Sequence, residues 1–143
     1  MAARDLSRLF ADNGWSGLDD LPLVGMVLVN AWVEQEDNTL LFLAFEEGVL
    51  VFETEGDCCS NSWIEYIQAP AMGYDAIIAE VSGEVEYRME SDETHDCLKF
   101  YQQVIKTTKG DLVIEYRNSS NGYYGGALRF KEWRPFPTGI NLA

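Results

Sequence analysis

Positive charge is nearly missing from most of this chain. Residues 9–98 hold 20 Asp or Glu and one base, Arg88, a net of −19. Residues 99–143 hold seven Lys or Arg against three acids, and the first eight residues add a net +1, leaving the whole at −14. A field of that extent repels nucleic acid and anionic membranes and attracts cationic proteins. Direct nucleic-acid binding is therefore not expected. Long apolar runs are missing too. None approaches the ~20 residues of a membrane span, and Met1-Ala2-Ala3-Arg4-Asp5-Leu6-Ser7-Arg8-Leu9-Phe10 lacks the apolar core of a signal peptide. The expectation is a cytoplasmic protein with no membrane partner. Cysteine is scarce: Cys58, Cys59 and Cys97 are odd in number and two are adjacent, a poor disulfide framework. Buried thiols are expected. Histidine occurs once, as His95.

The chain does have apolar material for a core. It is 47% hydrophobic and 13% aromatic over 143 residues, enough for one domain without staples. Residues 1–22 read as an N-terminal helix and loop, with Leu6, Leu9 and Phe10 at helical spacing before Asn13-Gly14. Residues 23–134 read as a sheet, and 135–143 as a tail. Seven strands are expected, at 23–33, 39–45, 49–54, 77–90, 98–107, 112–116 and 127–133. The first is rich in β-branched residues and reads as buried on both faces. The second and third flank Glu46-Glu47-Gly48 as a hairpin. Trp63, Ile64 and Ile67 predict a two-turn helix at about 60–68, stopped by Ala69-Pro70. The sum is an α+β chain, mostly β: a curved antiparallel sheet or partly open barrel of about seven strands with two short helices packed on it.

Two stretches stand out. Glu55-Gly56-Asp57-Cys58-Cys59-Ser60-Asn61-Ser62-Trp63 turns a strand-like run into a helical one. A thiol at a helix start is made more nucleophilic by the helix dipole, and His95 would supply a base. The same set, Cys58, Cys59, His95 and Cys97, holds enough zinc ligands, although adjacent cysteines lack the usual Cys-x-x-Cys spacing. The simpler reading is buried cysteines with Asp57 as a cap, so no catalytic residue and no cofactor is expected. The second stretch is Arg117-Asn118-Ser119-Ser120-Asn121-Gly122-Tyr123-Tyr124-Gly125-Gly126. Asn121-Gly122 is a hairpin turn signal. Tyr, Ser, Asn and Gly also build adaptable recognition loops, which makes Asn121, Tyr123 and Tyr124 candidate partner contacts.

The strand at 77–90 alternates Val81, Val85, Tyr87 and Met89 with Glu80, Glu84, Glu86, Arg88 and Glu90. Period 2 predicts the first set inward and the acids outward, with Gly83 as a bulge or bend. Glu80, Glu84, Glu86 and Glu90, continued by Asp92 and Glu93, would then form an acidic face. Residues two apart on one face are roughly 7 Å apart, so the row imitates the phosphates of a nucleic acid. The plain alternative is a solvated strand that resists edge pairing.

Together, Gly56-Asp57-Cys58-Cys59-Ser60 with Trp63, and Arg117 to Gly126, resemble a family of small domains of unknown function seen in phage and bacterial proteins. The resemblance covers roughly residues 40–130. It implies a phage or prophage setting and transfers no activity. Small acidic phage proteins are often antagonists of host machinery such as restriction and CRISPR systems. The leading expectation is a non-enzymatic acidic protein that binds a host protein with a basic surface. The alternatives are a Cys-centred enzyme or metal protein, and a self-associating assembly protein, in the simplest case a homodimer.

Overall fold

The computed structural model describes residues 17–55, 60–70, 76–91, 97–120 and 126–136. They form nine strands of one antiparallel sheet that is not closed. In chain order these are β1 (Val27–Val33), β2 (Leu40–Phe45), β3 (Gly48–Glu55), β4 (Asn61–Gln68), β5 (Ala76–Val81), β6 (Val85–Ser91), β7 (Cys97–Thr107), β8 (Gly110–Ser120) and β9 (Ala127–Pro135). A short 3-10 turn, Leu18–Asp20, precedes them. The spatial order is β4-β8-β7-β5-β1-β2-β3-β9, with β6 paired to β7 beside β5. No helix among the described residues is long and apolar enough to cross a membrane. The helix expected near the N-terminus lies outside the described residues.

The helix expected at 60–68 is strand β4. Its spacing misleads for a local reason. β4 pairs with β8 at Ile64↔Tyr116 and then Tyr66↔Glu115, so a bulge inserts one residue between them. The bulge moves the next inward-leaning position from Tyr66 to Ile67, and Ile64 with Ile67 then imitates a helical stripe. The residue types were already those of a strand: Trp63, Ile64, Tyr66 and Ile67 are aromatic or β-branched.

The sheet rolls over one core. Leu28, Leu41, Leu43, Leu50, Phe52, Ile64, Ile78, Ile105, Leu112, Ile114, Tyr116 and Leu128 share a single buried cluster. Each such aliphatic side chain stabilises the fold by roughly 1.5–3 kcal/mol through burial. Polar bonds pin the ends of the roll together. Ile64 N–H donates to Asn38 O (2.6 Å), Thr54 Oγ1 to Ser62 O (3.1 Å), and Ser62 Oγ to Glu55 O (3.0 Å). They bring β4 against the end of β3 and the turn before β2 although no ladder joins them.

Two expected assignments change. In β1 only Leu28 is buried, while Asn30 and Trp32 are exposed, so the strand is covered on one face rather than two. Trp32 instead stacks on Phe42 outside the roll, with centroids 5.3 Å apart. In β7 the core face is Tyr101, Gln103 and Ile105, opposite Tyr116, Ile114 and Leu112, although Leu98, Phe100 and Val104 offer an apolar set in the other phase. Phe100 is buried on the other face, under Arg88 and Arg117. Second, the expected strand at 77–90 is two strands broken at Ser82-Gly83-Glu84, the bend that Gly83 predicted. Leu50 and Phe52 in β3 and Leu128 and Phe130 in β9 are buried in the core, and Val51, on the other face of β3, is buried as well.

Candidate functional site

β5 and β6 lie along the same edge of β7, one after the other. β5 takes Thr107 to Ile105 as partners, and β6 takes Gln102 to Cys97. Ser82 fastens the break between them. Its Oγ accepts from Val104 N–H (2.8 Å), and its backbone oxygen accepts from Gln103 Nε2 (3.3 Å). β1 reaches β5 by only two pairs, Val27↔Ile77 and Leu28↔Ala76, and does not continue along β6. All seven residues of β6 are therefore exposed. Val85, Tyr87 and Met89, expected in the core, are 52%, 50% and 58% exposed. Alternation implies two unlike faces, but a strand at the sheet edge beyond the roll has solvent on both. A second bulge, between Glu86 and Arg88, also breaks the period.

The four glutamates of the row do not stand as a bare acidic ladder. Glu80 lies 3.8 Å from Lys106, Glu86 lies 3.8 Å from Lys99, and Glu90 pairs with Arg88. Glu84 stands close to the Tyr116 hydroxyl, with Arg129 and Asp19 near by. The lopsided charge of the sequence thus becomes cross-strand pairing. Lys99, Lys106, Arg117 and Lys131 reach back to Glu86, Glu80, Glu65 and Glu53. Exposed pairs of this kind are worth about 0–1 kcal/mol each, so they compete weakly with another cation.

Behind the row stand two tyrosines that sequence reasoning missed. Tyr101 and Tyr116 face each other across β7 and β8, stacked with centroids 5.2 Å apart. The Tyr101 hydroxyl accepts from Gly126 N–H (3.2 Å) and meets Glu86. Tyr116 donates to Gln103 Oε1 (3.5 Å). Burial pushes both hydroxyls above the ordinary tyrosine range, and the nearby carboxylates push the same way. They remain proton donors at neutral pH, which suits them to hold carboxylates. Partial burial likewise raises Glu84, against an opposing pull from the Tyr116 hydroxyl.

The strand register also gathers the roots of the stretches that carry the remaining candidates. Glu55 pairs with Ala127, Asn61 with Ser119, and Cys97 with both Ser120 and Ser91. The strand ends that flank 56–59, 92–96 and 121–125 are therefore neighbours. Cys58, Cys59, Asp92, Glu93, His95, Asn121, Tyr123 and Tyr124 belong to those segments and lie outside the described residues. Cys97 is buried with a free thiol. Among the described residues, no three His, Cys, Asp or Glu are grouped to hold a metal. The floor below these roots is tightly packed. Asn118 Nδ2 donates to Ser62 Oγ (2.8 Å), and a Cβ on Gly126 would sit 2.8 Å from Ser62 Oγ and 2.9 Å from Asn118 Cβ.

On the outer face of the same strands, Glu115 is fully buried. Its Oε1 accepts from the Tyr87 hydroxyl, while its Oε2 has no hydrogen-bond partner. Burial raises its pKa, against an opposing pull from Arg117. With the folded value above the unfolded one, the folded chain binds the extra proton between them. Stability attributable to Glu115 is therefore full below the ordinary value of about 4.3 and falls as pH rises through the raised value. Glu115→Gln is expected to flatten that fall and to melt relatively later at pH 7 than at pH 4. Thermal melts of both proteins across pH 4–8 check this, and parallel profiles would show Glu115 titrating normally.

No curated protein and no solved structure matches the chain. A family model matches residues 22–130, spanning the chain from just before β1 into β9. By that match the chain belongs to the family described as Domain of unknown function (DUF7448).

Proposed function

We propose that the chain is a non-catalytic binding protein whose carboxylates Glu80, Glu84, Glu86 and Glu90 occupy a basic surface on another protein. In the phage or prophage setting that the sequence resemblance implies, that partner is a nucleic-acid-binding defence protein of the host, and the chain inhibits it by covering the groove that nucleic acid would use. One observation carries the reading. The most acidic part of the sequence includes a strand, β6, with every residue at the surface. Glu86 and Glu90 on β6 keep 43% and 47% of their side-chain surface exposed, and Lys99 holds Glu86 only at 3.8 Å, so a partner's cations meet both at little cost. The net charge of −14 steers a cationic partner from a distance. Asp92 and Glu93 extend the acidic run in sequence, and the segment bearing Asn121, Tyr123 and Tyr124 supplies a second contact from a neighbouring root.

The test replaces Glu80, Glu84, Glu86 and Glu90 together by Gln. Proteins retained from bacterial lysate by the parent chain are identified by mass, and the affinity of the purified partner is measured for both chains. Four exposed charge pairs at ~0.5 kcal/mol each amount to roughly 2 kcal/mol, about thirtyfold in Kd. The expected result is a basic partner with affinity reduced by that order, and a salt dependence that shrinks in the variant. Screening over about 10 Å at 0.1 M salt sets the scale. Unchanged affinity in the variant rejects the acidic surface as the binding element.

A further inference from the structure

Resting on that reading, we infer that the open edge of β6 accepts an extended, lysine- or arginine-bearing segment of the partner protein as an added antiparallel strand. Among the described residues β6 has β7 on one side and no strand on the other. Every second backbone N–H and C=O of such a strand points away from the sheet and is available for pairing. Proteins protect such edges with charge and bulges, and β6 has both. It also exposes Val85, Tyr87 and Met89 by half or more. Tyr87 bonds Glu115 and lies against Phe100, but edge protection has no use for Val85 and Met89, whereas an added strand packs on them while its backbone pairs with the edge.

Charge selects the occupant. Glu84, Glu86 and Glu90 flank one base, Arg88, which Glu90 already holds. The bulge between Glu86 and Arg88 leaves Glu84 and Glu86 on one face and turns Glu90 to the other beside Arg88, so a strand with lysine or arginine at alternate positions meets Glu84 and Glu86 across the ladder, where opposite charges contribute favourably. A second copy of the chain fits less well. Antiparallel self-pairing centred on Arg88 sets Glu86 against Glu90 and arginine against arginine. Centring on Tyr87 sets Glu86 against Arg88 but also Glu84 against Glu90 at both ends, so no net gain offsets the repulsion between chains. Like charges directly opposite destabilise a ladder, and two chains of −14 repel besides.

The experiment uses the full chain and a synthetic eight-residue peptide of alternating lysine and valine. Two further versions are N-methylated, one at the lysine nitrogens and one at the valine nitrogens. Each keeps the charge and side chains and loses the donors of one edge. Binding is followed by titration, and amide hydrogen exchange reports on β6. The expected result is that one methylated peptide binds about tenfold or more weakly than the parent, and that the parent slows exchange in β6. If all three bind alike and the Glu→Gln chain binds none of them, charge alone acts, and strand addition is overturned while the acidic-surface reading stands. If no peptide binds at low salt, both are overturned. Slowed exchange in β6 that grows with protein concentration and needs no peptide would make the occupant a second copy and overturn the basic segment.

Discussion

Tyr116→Ala is expected to cost about 3–5 kcal/mol, enough to unfold a domain of ordinary stability or nearly so. Tyr116 is the largest of the completely buried side chains. It stands between Tyr101 on β7 and Ile64 on β4, so its ring joins the well-paired β7–β8 ladder to the strand that the roll brings round. Truncation leaves a cavity that a curved sheet cannot collapse, because the backbones on both sides are held by continuous pairing. It also leaves Gln103 Oε1 and Glu84 without the hydroxyl that each meets. Tyr116→Phe separates the two effects. It keeps the ring and the stack and removes only the hydroxyl, for about 1 kcal/mol. Denaturant unfolding of both variants checks the pair. Equal losses would place the value of Tyr116 in its hydroxyl, and a small loss in the alanine variant would mean that the roll does not close over this ring.

Six of the seven expected strands exist as single strands and the seventh, at 77–90, is divided into β5 and β6; the reading holds where local chemistry and burial agree. β2 and β3 are examples: Leu41 and Leu43 oppose Phe52 and Leu50, and all four are fully buried. Where the reading failed, the deciding fact was not local. A bulge after Ile64 turned a strand's pattern into a helix's. Val85, Tyr87 and Met89 alternate like core residues, and only the early departure of β1 leaves their strand at an edge. Phe100 and Tyr101 are neighbours and both buried. Which one faces the core depends on the phase of β7 relative to β8, and both phases offered apolar residues. The acidic row was legible as a row. Its ion pairs were not, since they join Glu80 and Glu86 to lysines 26 and 13 positions away along the chain. The tyrosine pair behind it was hidden likewise, because Tyr101 and Tyr116 meet only through the register of β7 and β8.

Gly48→Ala is expected to destabilise the fold by about 1–3 kcal/mol, as overpacking commonly does, from a position that looks like an ordinary turn residue in sequence. Gly48 opens β3 and pairs with Pro135 at the end of β9. A Cβ there would lie 2.5 Å from the Arg134 carbonyl oxygen, 2.8 Å from Pro135 Cα and 2.8 Å from the Trp133 ring. Two of the three obstacles are backbone, so no rotamer change relieves them. The relief available is for β9 to lift away, which gives up Gly48↔Pro135 and Val49↔Arg134 and the bond from Phe136 N–H to Glu47 O. β9 ends the sheet order, and the loss should therefore be local. Amide exchange should quicken in residues 127–136 and at the start of β3, while β7 and β8 keep their protection. The variant should retain the binding carried by Glu86 and Glu90 on β6, which β7, β5, β1 and β2 separate from this joint in the sheet order, while any share carried by Glu84, near Arg129 of β9, should fall. Uniformly faster exchange would instead mean that β9 and the rest of the sheet unfold as one unit. Unchanged exchange and stability would mean that Gly48 and Pro135 are not as close in solution as the strand register places them.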